Sequence, residues 1–205
     1  MSAREALLRE LRAFVSDERV LAAIGRVPRE EFVPAGERRS AYANRALPIA
    51  CGQTISQPLV VARMCEVLEL RRTDRVLEVG TGSGYHAAVL ALLAAHVWSI
   101  EAHAELSQHA AAALERAGIA NVTATVGDGS AGLPAAAPFD AICVTAAAPP
   151  EALPPLEAQL AAGGRLVAPV AEAGSERLVL SRSTPTGIVR DELEPVRFVP
   201  LVMPG

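Results

Sequence analysis

Lysine is absent from this chain; all 19 basic residues are arginine. That excludes a P-loop, whose signature needs a lysine after its glycines to reach the phosphates. Set beside the abundant alanine, the missing lysine reads as GC-rich coding bias rather than function. Aromatic residues make up only 3% of the 205, although 51% of the chain is apolar, so Ala, Leu, Val and Ile must build the core. No apolar run approaches the roughly 20 residues of a membrane helix; the longest, 87–95, reads as a soluble helix. The start, Met1-Ser2-Ala3-Arg4-Glu5, lacks the charged-then-apolar order of a secretory leader, so the expected location is the cytoplasm. The three cysteines (Cys51, Cys65, Cys143) have no CxxC spacing, and buried free thiols are the expectation. The four histidines (His86, His96, His103, His109) show no zinc spacing, so no metal is expected. A net charge of −4 argues against a nucleic-acid partner. Arg38-Arg39 and Arg71-Arg72 read as solvated faces.

What is present is a change of rhythm along the chain. Leu7, Leu8, Leu11 and Phe14 form a helical stripe over 3–15. A second helix is expected from Asp17, its cap, to about Val27, and a short turn or helix from Pro28 to Phe32. Residues 33–56 are broken by Pro34, Gly36, Pro48 and Gly52. Ser56 can cap a helix over 57–68, with Pro58 in its first turn. From Arg75 onward strands and helices alternate. Strands are expected at 75–79, 96–100, 121–126, 139–145 and 165–170, with helices to about Ala95, over 104–117 and over 151–160. Gly118 ends the second of these, and Gly163-Gly164 follows the third. A hairpin around Thr184-Pro185-Thr186-Gly187 and an extended segment at 196–202 close the chain. The alternation predicts an α/β fold of the Rossmann-like doubly wound type, a mostly parallel sheet with helices on both faces and an antiparallel edge. No repeat is visible, and one domain is expected: N-terminal helices and a loop (1–57), a nucleotide-binding core (58–171) and C-terminal strands (172–205).

The chemical signal is concentrated in Glu78-Val79-Gly80-Thr81-Gly82-Ser83-Gly84-Tyr85, where a strand enters closely spaced glycines and then a helix. Such glycines let backbone approach a ligand, at the strand end where open α/β sheets bind. A dinucleotide fingerprint fails here, because Tyr85 stands where its third glycine belongs. Glu101 ends the next strand about 20 residues on, where a carboxylate can accept from ribose hydroxyls. Asp128 sits in a Gly-Asp-Gly turn after the third strand and can accept from an adenine amino group.

The glycine loop resembles the first motif of class I methyltransferases. The wider chain resembles the protein-L-isoaspartate O-methyltransferase family. The likeness runs through Val27-Pro28-Arg29-Glu30-Glu31-Phe32, Leu47-Pro48-Ile49, Gly52-Gln53-Thr54-Ile55-Ser56-Gln57-Pro58, Gly127-Asp128-Gly129, Val144-Thr145-Ala146-Ala147, Gly163-Gly164-Arg165 and Val196-Arg197-Phe198-Val199-Pro200-Leu201. It implies a seven-stranded sheet with the last three strands in a family-specific order, and S-adenosyl-L-methionine as cofactor without a metal. It places Thr54, Ile55 and Ser56 over cofactor and substrate, with Ser56 as the catalytic residue. Gly80, Gly82, Ser83 and Gly84 would surround the methionine part, Glu101 the ribose, and Asp128 with Gly129 the adenine. Gln53, Val144, Thr145, Ala146, Val199 and Leu201 would shape the peptide groove. The implied reaction is methylation of the free carboxylate of isoaspartyl residues in damaged proteins and peptides. Apart from the resemblance, a monomer is favoured and no membrane partner is expected.

The chemistry asks little of the protein. The substrate carboxylate, with a pKa of roughly 3–4, is already ionised at neutral pH. Alignment and exclusion of water suffice, and no Ser-His-Asp arrangement is expected. Tyr85 reads as a packing residue, and Cys51 and Cys143 as lining of the site. Two departures from the family pattern touch the loop: residues 42–46 carry no acid, and Ala50 stands where glycine is usual. They keep open an aspartyl methyltransferase acting on a dedicated biosynthetic peptide. A non-catalytic S-adenosylmethionine-binding module and, further off, a dehydrogenase are the other readings.

Overall fold

In the computed structural model, which describes residues 2–172 and 174–202, helix α1 (Ala3–Leu11) starts from a reciprocal cap. The Glu5 amide donates to the Ser2 hydroxyl and the Ser2 amide donates to the Glu5 carboxylate. Two amides that a helix start leaves without partners are thereby satisfied. The stripe expected through residue 15 stops early. Leu7 and Leu11 are buried, but Phe14 falls past the last turn and is 60% exposed. Asp17 caps α2 (Glu18–Arg26) as expected, accepting from the Arg19 amide at 2.8 Å. A tight helical turn follows at Arg29–Phe32. The irregular stretch after it holds one small antiparallel pair, β1 (Leu47–Pro48) and β2 (Thr54–Ile55). The turn between them puts Cys51 and Gly52 in the left-handed region, at φ +55° and +67°.

Helix α3 (Pro58–Val67) has proline in its first turn, but Ser56 is not its cap. Gln57 occupies that position without a side-chain bond. The orphan amide of Leu59 is taken instead by Asn44 Oδ1 at 3.1 Å. The segment that lacks an acid therefore supplies a neutral acceptor to a helix start.

The remainder comprises β3 (Arg75–Val79), α4 (Tyr85–Leu93), β4 (His96–Glu101), α5 (Ala104–Arg116), β5 (Val122–Val126), β6 (Phe139–Val144), α6 (Leu153–Glu157), β7 (Leu160–Glu172), β8 (Ser175–Thr184) and β9 (Gly187–Pro195). The seven-stranded sheet runs β5-β4-β3-β6-β7-β8-β9. It is parallel as far as β7, and β8 and β9 close it as antiparallel neighbours. The last three strands thus lie side by side in chain order.

Two expectations are corrected. The helix over 151–160 shrinks to a tight turn at Pro150–Ala152 and the five-residue α6, whose first turn carries Pro154 and Pro155. Gly163-Gly164 does not break the chain before a strand; β7 runs through both, with a register shift opposite β6. Gly164 is packed so closely that a Cβ would lie 2.9 Å from the Ala161 carbonyl oxygen, the close approach that a glycine within a strand marks.

Alternation along β3 divides the core. Val76 faces a cluster built with α1 to α5, while Leu77 and Val79 face a second cluster with α6. From β3 the chain moves outward to β4 and β5, then returns to build β6 and β7 on its other side. The loops after β3, β4 and β6 therefore gather around a crevice at their carboxyl ends, where the strand order reverses. No helix among the described residues is long and apolar enough to cross a membrane.

Candidate active site

The floor of the crevice is the glycine loop. Gly80 has φ +97°, and a Cβ there would stand 2.5 Å from Thr145 Oγ1. The Thr145 hydroxyl needs that space, because it donates to the Val79 carbonyl at 3.0 Å and ties the loop after β6 to the end of β3. Gly82 (φ +53°) donates its amide to Glu101 Oε2 at 2.8 Å, and the other carboxylate oxygen accepts the His103 amide at 3.0 Å. Glu101 is only 6% exposed and lines the cleft. Each of its oxygens carries one backbone bond and retains a second lone pair, which suits a pair of ligand hydroxyls.

Beneath the loop runs a buried polar chain. Thr81 and Ser99 share a hydrogen bond of 2.6 Å, and the Ser99 hydroxyl donates to Glu78. Burial pushes the Glu78 carboxyl up to about 8; the Ser99 bond opposes this and the Glu101 charge adds to it. Glu78 is therefore largely a neutral acid at neutral pH. His86 reaches the cleft from α4, with Nε2 3.4 Å from Cys65 Sγ and 3.7 Å from Cys143 Sγ. Burial alone lowers its imidazole to about 3, so the ring is neutral.

One lip of the cleft is the segment Gln53–Ser56, presented by the β1–β2 pair. The opposite wall comes from Thr145-Ala146 and from the tail at 199–202. The tail is held by the Ala147 amide donating to the Val199 carbonyl at 2.8 Å and the Leu201 amide donating to Ala147 at 2.9 Å. Gly129 fills the side next to Glu101; a Cβ on it would meet Val79 at 2.6 Å.

Of the residues singled out by the sequence, Gln53, Thr54, Ile55, Ser56, Gly80, Gly82, Ser83, Glu101, Gly129, Thr145, Ala146, Val199 and Leu201 line this single cleft. Three lie elsewhere. Gly84 (φ +84°) opens α4 where a Cβ would be 3.1 Å from Ala110, so it lets α4 and α5 approach. Val144 is fully buried in the α6-side core. Asp128 is exposed beside Gly129, and its Oδ1 accepts from the Ser130 amide at 2.9 Å and hydroxyl at 2.7 Å.

The cysteines also depart from expectation in part. Cys65 and Cys143 are the buried thiols expected, but Cys51 is exposed with its thiol 3.7 Å from Glu105, and neither Cys51 nor Cys143 lines the cleft. Tyr85 is the packing residue expected, 1% exposed and edge-on to Phe32, yet it also reaches the cleft's inner end. Val61, His86 and His103 were not anticipated; a bare apolar or imidazole side chain gives no sign in sequence of the crevice it will face.

The comparisons fit this geometry. The family profile described as Protein-L-isoaspartate(D-aspartate) O-methyltransferase (PCMT) matches residues 2–204. The chain is similar to the protein-L-isoaspartate O-methyltransferase of Parvibaculum lavamentivorans, 53% identical over 192 residues that cover 92% of this chain and 86% of that protein. It is also similar to that of Anaeromyxobacter dehalogenans, 55% identical over 190 residues covering 91% and 90%. Among solved structures, one named protein-L-isoaspartate O-methyltransferase superposes with a TM-score of 0.85 at 31% identity, over 96% of this chain and 65% of that longer one. A Plasmodium falciparum structure, whose description names a protein-L-isoaspartate O-methyltransferase in complex with S-adenosyl-L-homocysteine, gives a TM-score of 0.86 at 25% identity, over 98% and 99%.

Proposed function

Since the chain belongs to the protein-L-isoaspartate O-methyltransferase family, we propose that the cleft at the ends of β3, β4 and β6 is where it works. The enzyme transfers a methyl group from S-adenosyl-L-methionine to the free carboxylate of L-isoaspartyl residues in damaged proteins and peptides. The methyl ester then loses methanol to a succinimide, whose hydrolysis returns part of the material to normal aspartate.

The residues present suit this cofactor. Gly80 and Gly129 keep two positions of the cleft wall free of side chain, since a Cβ at either would collide with a neighbour. Glu101 offers its remaining lone pairs to the ribose hydroxyls. Gly80, Gly82 and Ser83 would border the methionine part, with Gly84 shaping the loop behind them. Asp128, with Gly129, would accept from the adenine amino group; its Oδ2 is engaged by the Ser130 hydroxyl at 3.0 Å. When bound, the cofactor supplies a methyl group on a sulfonium, a good leaving group.

The observation that carries the assignment of roles is that the Gln53–Ser56 lip, the glycine loop and Glu101 meet in one cleft. The Ser56 hydroxyl, free of the capping duty the sequence suggested, donates to the substrate carboxylate and orients it for in-line attack. Because that carboxylate is already ionised, no side chain need remove a proton. Thr54 and Ile55 cover the reacting atoms and exclude water. Gln53, Thr145, Ala146, Val199 and Leu201 border the path of the substrate peptide, with Val144 supporting them from the core. A net charge of −4 favours a peptide partner over nucleic acid. The same reading takes the chain as a monomer of the cytoplasm in which 1–57, 58–171 and 172–205 act as one domain.

The test is transfer of labelled methyl from S-adenosyl-L-methionine to an isoaspartyl peptide, with the normal aspartyl peptide as control. Base-labile label on the isoaspartyl peptide alone is the expected result. Equal labelling of both peptides, or of neither, would overturn the substrate assignment.

A further inference from the structure

Arg29 is fully buried, with 0% of its surface exposed. A buried guanidinium is ordinarily paired with a carboxylate, because an unpaired charge in the interior is strongly disfavoured. Here none of the ion pairs among the described residues involves Arg29. Its partners are neutral. Nε donates to the Ala41 carbonyl at 2.8 Å, Nη2 donates to the Ser56 carbonyl at 2.7 Å, and the guanidinium lies 4.5 Å from the centre of the Tyr85 ring. Neither Nη1 nor the Tyr85 hydroxyl makes a hydrogen bond of good geometry.

These contacts join three separate pieces of the site. Ala41 lies where the irregular stretch turns toward β1. Ser56 ends the cleft's lip, and Tyr85 follows directly on the glycine loop. The guanidinium therefore fixes the height of the lip above the loop from behind, through the backbone of the residue whose side chain faces the substrate. Arginine suits this work for a geometric reason. Its planar fork can hold two carbonyls in different directions while one face stacks on a ring.

We propose that Arg29 is a positioning residue for methyl transfer, setting the Thr54–Ser56 lip against the glycine loop so that the substrate carboxylate meets the methyl group in line. The inference rests on the reading that Ser56 faces that carboxylate. It predicts a division of effects. In that reading the cofactor's ribose and adenine contacts are Glu101 and Asp128 with Gly129, none of which Arg29 touches, whereas alignment of the reacting carboxylate depends on the lip.

The experiment compares Arg29→Met, Arg29→Lys and Ser56→Ala with the parent enzyme. Each is measured for folded fraction by circular dichroism, for S-adenosyl-L-homocysteine affinity by calorimetry, and for kcat and KM on an isoaspartyl peptide. Arg29→Met should bind S-adenosyl-L-homocysteine within about threefold of the parent, yet lose about tenfold or more in kcat per folded molecule, as misplacement of a reacting group does. Arg29→Lys, which keeps the charge and one donor to Ser56, should recover part of the loss. A smaller loss in kcat, or a fall in S-adenosyl-L-homocysteine affinity beyond that range, overturns the proposal. If neither Arg29 variant folds, Arg29 belongs to the framework of the fold and the proposal is equally overturned. A silent Ser56→Ala beside a damaged Arg29→Met would refute the role of the Ser56 hydroxyl while leaving the positioning of the lip in place.

Discussion

Glu101 and Asp128 sit at the ends of neighbouring strands and are committed to very different degrees. Glu101 is buried and already braced by two backbone amides, so it belongs to the scaffold as well as to the proposed ribose site. Asp128 is exposed and held only by Ser130. Replacing Asp128 by alanine should leave the fold intact and weaken S-adenosyl-L-homocysteine binding about tenfold or more, the loss of one hydrogen bond to a charged acceptor. Unchanged affinity in calorimetry would remove the adenine contact proposed for it. Gly80→Ala should instead act on stability. At φ +97° with a Cβ 2.5 Å from the Thr145 hydroxyl, the substitution combines backbone strain with a clash and should cost about 1–3 kcal/mol or more. Urea unfolding measures it, and an unshifted midpoint would contradict the geometry. That Glu101, the glycines at 80 and 82 and Ser56 would share one cleft could be read from the sequence, because each has a chemical type tied to a strand end or to a distinctive segment. Gly84 carried the same local signal, but its space is used by Ala110, a contact made with α5 rather than within the loop.

At the scale of elements, local patterns were sufficient wherever the deciding contacts are local. The cap at Asp17, the alternating strands and the hairpin turn at Thr184–Gly187 follow from neighbours in the chain. The start of α3 does not. Its cap comes from Asn44, which also donates to Glu10 at 2.7 Å and so ties α1 to α3. Asn44→Ala should lower stability by about 1–2 kcal/mol, the usual loss when a helix start loses its acceptor. Thermal unfolding would register this, whereas Ser56→Ala should leave the melting temperature nearly unchanged. Equal shifts in both variants would restore the cap to Ser56. The length of β7 escaped the sequence for a similar reason. Gly163-Gly164 looks like a stop until β6 is laid beside it and the pair becomes an irregularity within a strand.

For the whole molecule, Glu78 and His86, both buried, shape the response to pH below about 8. Glu78 holds its proton to about 8 in the folded chain, against roughly 4.3 when unfolded. Between those values the unfolded state carries fewer protons, so this group makes stability fall as pH rises. His86 stays neutral down to about 3, against roughly 6.5 unfolded. Over that window the unfolded state carries more protons, so this group makes stability fall as pH drops. The two slopes oppose each other between about 4.3 and 6.5; above that range Glu78 acts without His86, and below it His86 is joined by Asp17, Glu66, Glu157 and Glu194, whose carboxyls are held below their ordinary value by hydrogen bonds and arginine partners. Stability should therefore decline from about pH 6.5 to 8, and Glu78→Gln should flatten that decline, as read by urea midpoints across the range. An unaltered slope in the variant would remove Glu78 as its source. None of this was legible in the sequence, where Glu78 reads as one more residue of a glycine motif and His86 as an isolated histidine.

The wall formed by the chain's last described residues has a consequence for how the cleft opens. Two backbone bonds, Ala147 to Val199 and Leu201 to Ala147, hold that wall to the loop after β6. Both break together if the tail lifts, while the β6–β7 ladder beside them remains paired. The amide protons of Ala147 and Leu201 should thus exchange with deuterium at one common rate, faster than that of Val167 inside the sheet, through a partial opening that does not require the protein to unfold. Ligand bound in the cleft should slow that pair selectively, making the tail a local reporter of occupancy.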